Sequence, residues 1–187
     1  TNWTVGDVIR SGGITTWLLR PMPALYHVLS SELAGKVVYM AFVVPVAAVL
    51  AVVLQPELHP GPGGVPLALL ALVLAWALRF CWGFWIALLA FWVTQASALL
   101  AIQDSLIFLL AGVVAPVPLL PPALQVAARY LPFRYMVGFP VEIVTGQLAP
   151  DAIAFGFAVQ VAWLALALLL ARVIWARGVK RYSAIGG

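Results

Sequence analysis

Charge is what this chain has least of. Lys and Arg number 10 and Asp and Glu 6 among 187 residues, so only 9% of the chain is charged, against about 25% in a soluble domain. With 65% hydrophobic residues and a mean hydropathy of +1.09, this scarcity excludes a water-soluble globular domain and defines a polytopic membrane protein. The formal net charge of +4 is no nucleic-acid footprint, because the basic residues gather at the ends of apolar runs. A single cysteine, Cys81, lies inside such a run. It excludes an internal disulfide and reads as a small packed hydrophobe. A signal-peptide pattern is also missing, and the chain opens at Thr1 without a methionine. We therefore expect its natural start to be absent.

Catalytic constellations are equally scarce. The glycine-rich GPGG at 61–64 lacks the Lys and Ser/Thr that a phosphate-binding loop needs to hold phosphates and magnesium. There is no H-E-x-x-H and no G-x-S-x-G, which removes the usual zinc hydrolases and serine esterases. His27 and His59 flank the first apolar run, so they fall on opposite sides of a membrane and cannot share a metal. No enzyme is expected, and no metal or cofactor on this chain.

What is present is apolar length. Four runs, 35–54, 65–91, 96–114 and 152–174, approach or exceed the roughly 20 residues that cross a bilayer. The expected fold is all-α, a membrane helix bundle of four spans. Between the third and fourth runs, residues 115–150 are apolar but cut by Pro116, Pro118, Pro121, Pro122, Pro132 and Pro140. Pieces of about ten residues cannot span. Backbone broken this way survives at membrane depth only under protein or beside water, which predicts a re-entrant segment.

Orientation follows from the basic residues. Arg10 and Arg20 precede the first run and Lys36 lies at its start, and Arg172, Arg177, Lys180 and Arg181 end or follow the last. The loop at 55–64 has none, and 115–150 has only Arg129 and Arg134. Positive residues favour the cytoplasmic side. Both ends are thus expected inside, with the re-entrant segment facing outward.

Residues 1–34 form a cytoplasmic segment before the first run. Ile14, Trp17 and Leu18 fall at i, i+3 and i+4, one face of a short helix. Gly12 and Gly13 loosen its start and Pro21 ends it. Leu25, Val28 and Leu29 give a second short amphipathic turn. Such a segment either lies on the inner leaflet or docks into a cytoplasmic partner.

Two charges fall inside runs, Arg79 and Asp104. If the second and third runs form a hairpin turning at 91–94, both lie roughly 18–20 Å from the turn at 1.5 Å per residue. Charges at that depth are costly and pair or face a cavity. An ion pair fixing the hairpin is the first expectation; a place on a substrate pathway or a hydrated kink are the others. Glu142, Arg134 and Phe133 in the outward segment are candidates for an exit gate, with simple solvation of Glu142 the alternative.

The stretches IRSGGITTWLLRP, LLAFWVTQASALL, LLAGVVAPVPLLPPALQ, YLPFRYMVGFPVEIVTGQL and RGVKRYSAIGG, in this order, resemble type-2 ABC transporter permeases of the bacterial branch that works with separate ATPase subunits. The likeness covers nearly the whole chain. It rests on Gly112, Pro116 and Pro121 followed by LPF and P-x-x-I-x-x-G. Such permeases have six spans, so the resemblance implies that these four are the last four. It assigns ATPase coupling to Ile14, Trp17, Leu18 and Arg20, although Arg20 could equally bind lipid phosphate. It also implies ABC ATPase subunits that carry ATP and magnesium, a second permease subunit of the same or different sequence, surrounding lipid, and a bacterial plasma membrane. The function implied is that of an exporter's permease subunit. The competing expectation is a membrane assembly subunit that transports nothing.

Overall fold

The computed structural model describes residues 2–19, 24–55, 61, 63–93, 95–115 and 117–185. Arg20, His59 and Pro116 lie outside the described residues. Among those described there are nine α-helices and no strand: α1 (Asn2–Arg10), α2 (Ile14–Leu18), α3 (Ala24–Leu54), α4 (Gly64–Leu88), α5 (Ala96–Leu110), α6 (Pro122–Tyr130), α7 (Pro132–Tyr135), α8 (Gly138–Val144) and α9 (Pro150–Ile185). Short 3-10 turns occupy Leu89–Phe91 and Val117–Leu119. The fold is an all-α membrane bundle.

Three helices are long and apolar enough to cross a bilayer, Tyr26–Leu54, Gly64–Phe91 and Pro150–Arg181. α3 begins earlier than the apolar run suggests. Leu25, Val28 and Leu29, expected as a separate amphipathic turn, belong to its first turns, since no proline interrupts the chain between Leu25 and Pro45. The helix in the third expected span is shorter than the apolar run. α5 stops at Leu110, which at 1.5 Å per residue gives about 22 Å against a hydrocarbon core of about 30 Å. The cause lies in the next residues. Gly112 adopts φ +79, a left-handed conformation that costs glycine little, and Pro118 comes soon after without an N–H to extend a helix. α9 in contrast runs past its apolar stretch, carrying Arg172, Arg177, Lys180 and Arg181.

α4 is the spine. It packs along α9, α8, α1 and α5. From Ala75 onward its residues are buried or half-buried, Arg79 being the exposed exception. Trp82 meets Trp85 and Trp163 edge-on, both at 5.3 Å, and Phe133 at 6.4 Å, binding α4 to α9 and α7. Small residues set the closest approaches. A Cβ at Gly178 would run into the Phe91 ring, and one at Gly156 into the Phe139 ring. α3 stands apart: beyond Val28, none of its described residues is buried.

Two ends of the bundle emerge from these contacts. One gathers α1, the Leu89–Phe91 turn and the last turns of α9. The other gathers the start of α4, the three short helices α6–α8 and the first turns of α9.

Candidate functional site

At the first end, α1 lies across the bundle with Val5 and Ile9 buried and Asp7 and Arg10 outward, where the two charges pair with each other. Spacing at i, i+3 and i+4 (Val5, Val8, Ile9) builds that apolar face. It is the same sequence signal that marks Ile14, Trp17 and Leu18, one short helix earlier. Gly12, at φ +77, turns the chain into α2. Ile14 is fully buried, so it anchors α2 to the bundle and is closed to a partner. Trp17 is half-buried and stacks on His27, the ring centroids 6.1 Å apart. The Leu18 side chain and Arg20 lie outside the described residues. Among the described side chains, Thr15 and Thr16 on α2 and Leu19 just after it are exposed, the last 81%.

Arg79 and Asp104 meet across α4 and α5, Nη2 donating to Oδ1 at 3.2 Å. Their side chains are 49% and 43% exposed, so the pair opens onto the outer surface of the bundle. Gln103 beside it is buried, and its Oε1 has no partner among the described residues. Ser105 is spent on the Ala101 carbonyl.

The three gate candidates sit together in the proline-broken cap. Arg134 grips Glu142 with Nε to both carboxylate oxygens at 3.1 Å and Nη2 to Oε2 at 2.6 Å. The two side chains are only 16% and 13% exposed. Burial works against the Arg134 cation, but the bonds and charge of Glu142 outweigh it and raise its pKa. Burial likewise raises the Tyr135 hydroxyl. Phe133 is buried against Trp82 and belongs to the packing of the cap.

The same cap solves the problem its prolines create. Pro132 offers no N–H, leaving the last carbonyls of α6 without helical donors. Tyr135 donates its hydroxyl to the Arg129 carbonyl at 2.6 Å, and Trp163 donates Nε1 to the Tyr130 carbonyl at 2.8 Å. Gln125 donates to the carbonyls of Pro118 at 3.0 Å and Leu120 at 2.7 Å. Gln160, fully buried on α9, ties the Ala71 and Tyr135 carbonyls at 3.0 and 2.9 Å. None of these four donors is evident from sequence. Their partners are backbone atoms, which carry no sequence signature. Among the described residues no group of three or more His, Cys, Asp or Glu could hold a metal.

The family model for the ABC-2 family transporter proteins matches residues 1–186, and the chain belongs to that family. Its members are permease components that associate with ABC ATPases and carry no catalytic site of their own. No curated protein and no solved structure matches the chain.

Proposed function

We propose that this chain is the permease subunit of an ATP-driven exporter, forming the substrate pathway with a second permease subunit and driven by separate ATPases that hold ATP and magnesium. The observation that carries the reading is the α1–α2 segment, which sits at the same end of the bundle as the basic last turns of α9. Positive residues favour the cytoplasm, so this end is read as the ATPase side. Buried Val5, Ile9 and Ile14 then transmit a push on α2 to α4 through packed side chains, while Thr15, Thr16, Trp17 and Leu19 meet the ATPase. The cap of α6–α8 closes the pathway on the outer side, held by the Arg134–Glu142 pair. In a bacterial plasma membrane both described ends of the chain would be cytoplasmic.

The test is co-purification with the partner ATPase in lipid, followed by ATP hydrolysis. Loss of an aromatic or apolar anchor from an interface costs about 2 kcal/mol or more, about 30-fold in affinity. Trp17→Ala and Leu19→Asp should each weaken association to that extent while membrane insertion is kept. Wild-type association in both variants would overturn the coupling assignment. Association without ATP-dependent flux would make the chain an assembly subunit.

A further inference from the structure

A cavity of about 410 Å³ opens between the cap and the start of α9, and it is distinct from the coupling face and from the membrane-depth charges. Its wall carries Arg129, Arg134, Asp151 and Phe155, Arg134 being paired with Glu142. Arg134 is committed to Glu142. Arg129 and Asp151 are not committed: among the described residues neither has an ion-pair partner. The Arg129 guanidinium lies 5.5 Å over the Phe155 ring, which orients it but uses none of its N–H donors on an acceptor. One cavity therefore holds an available cation, an available anion and one exposed aromatic ring, Phe155.

Depth decides what such a cavity meets. The run 152–171 of α9, apolar save Gln160, is about 30 Å long at 1.5 Å per residue, one hydrocarbon thickness. Asp151 thus marks the boundary with the headgroups, and Phe155 lies on the acyl side of it. A ligand that fits carries an anionic and a cationic group at its polar end and a hydrocarbon body below them. We propose that this cavity binds a zwitterionic phospholipid with a primary amine, its phosphate on Arg129, its ammonium on Asp151 and the start of its chains on Phe155. Five N–H donors in a planar fork suit Arg129 to phosphate. The site stands whether or not the chain exports anything.

The probe is a phosphatidylethanolamine bearing a photoactivatable diazirine near the top of one acyl chain, in phosphatidylcholine nanodiscs with the full chain. Expected crosslinks map to α6 and the first turns of α9. Charge-assisted contacts are the strong ones, so Arg129→Gln and Asp151→Asn should each lower this labelling about ten-fold, while background labelling of the exposed helix α3 stays constant. A matching phosphatidylglycerol probe keeps the phosphate and lacks the amine; its labelling should fall with Arg129→Gln and ignore Asp151→Asn. Arg129→Lys should retain part of the signal, which separates loss of charge from loss of fold. Labelling at α6 and α9 that is indifferent to both variants, or equal for the two probes in every variant, would overturn the proposal. Displacement of the lipid probe by free phosphoethanolamine would reassign the cavity to water-soluble zwitterions and overturn the lipid occupant.

Discussion

Two ion pairs of this protein use the same chemistry and differ in everything else. Arg134 and Glu142 lie eight residues apart on short helices of the cap, are nearly buried, and share three hydrogen bonds. Arg79 and Asp104 lie 25 residues apart on two longer helices, share one bond at 3.2 Å, and remain about half exposed. A buried pair is held by geometry: each partner prevents the other from being stranded without water. A half-open pair keeps alternatives, since a long side chain can snorkel toward water. The pair in the cap is therefore fixed by its own partner, whereas the pair on the α4–α5 seam remains open to whatever covers that surface. Both pairs sit in a molecule with very few charges, so neither is incidental.

The largest effect should come from breaking the tight pair. Glu142→Ala strands Arg134 and is expected to cost about 3–5 kcal/mol, read as a fall in thermal stability in lipid nanodiscs. Replacing both partners by leucine should recover most of that loss. A double variant as unstable as the single one would show that the pair does more than neutralise itself. Next comes the seat of the cap. A Cβ on Gly138 would collide with the Ala111 carbonyl at the end of α5. Because the obstacle is backbone, relief requires the cap to shift, and Gly138→Ala should cost about 1–3 kcal/mol. A neutral result would mean that cap and α5 are loosely docked.

The open pair should respond less. Asp104→Ala leaves an Arg79 that is already half exposed and can snorkel, so the loss should fall below the about 2.5–3.5 kcal/mol that the milder insertion scales give a lone charge at the helix centre, to about 1 kcal/mol. Adding Arg79→Leu should restore much of the loss in a double-mutant cycle. Simple additivity of the two single losses would argue against a pair. Unchanged stability with collapsed transport would move Asp104 onto the substrate pathway.

The contrast between the pairs also explains what can be read in advance. Arg79 and Asp104 lie on uninterrupted helices, so a rise of 1.5 Å per residue converts sequence distance into depth and the meeting of the two can be anticipated. Arg134 and Glu142 are separated by a chain path that turns at Met136 and Val137, and no helical period connects them. Each is legible as a gate candidate, but not as the other's partner. The same break hides the side-chain donors of Gln125, Tyr135, Gln160 and Trp163. The proline count does announce that the segment is broken into pieces, and the pieces are helices of 9, 4 and 7 residues. The third apolar run looks longer in sequence than α5 is, because hydropathy does not register a left-handed glycine: Gly112 ends α5 within a stretch that stays apolar. At the α1–α2 end, the i, i+3, i+4 spacing locates α2 but not its orientation. Ile14 turns inward, and the outward face falls to polar Thr15 and Thr16, whose type gives no hint of contact.

Coupling requires α2 to face a cytoplasmic ATPase. Cysteine substituted at Thr16, in a Cys81→Ala background, tests this most directly when the chain is expressed with its partner ATPase in intact cells. An oxidant that crosslinks nearby thiols is expected to join position 16 to a cysteine introduced on the ATPase surface, while an impermeant thiol reagent added outside leaves it unlabelled. Labelling of position 16 from outside, with no crosslink to the ATPase, would contradict the coupling role.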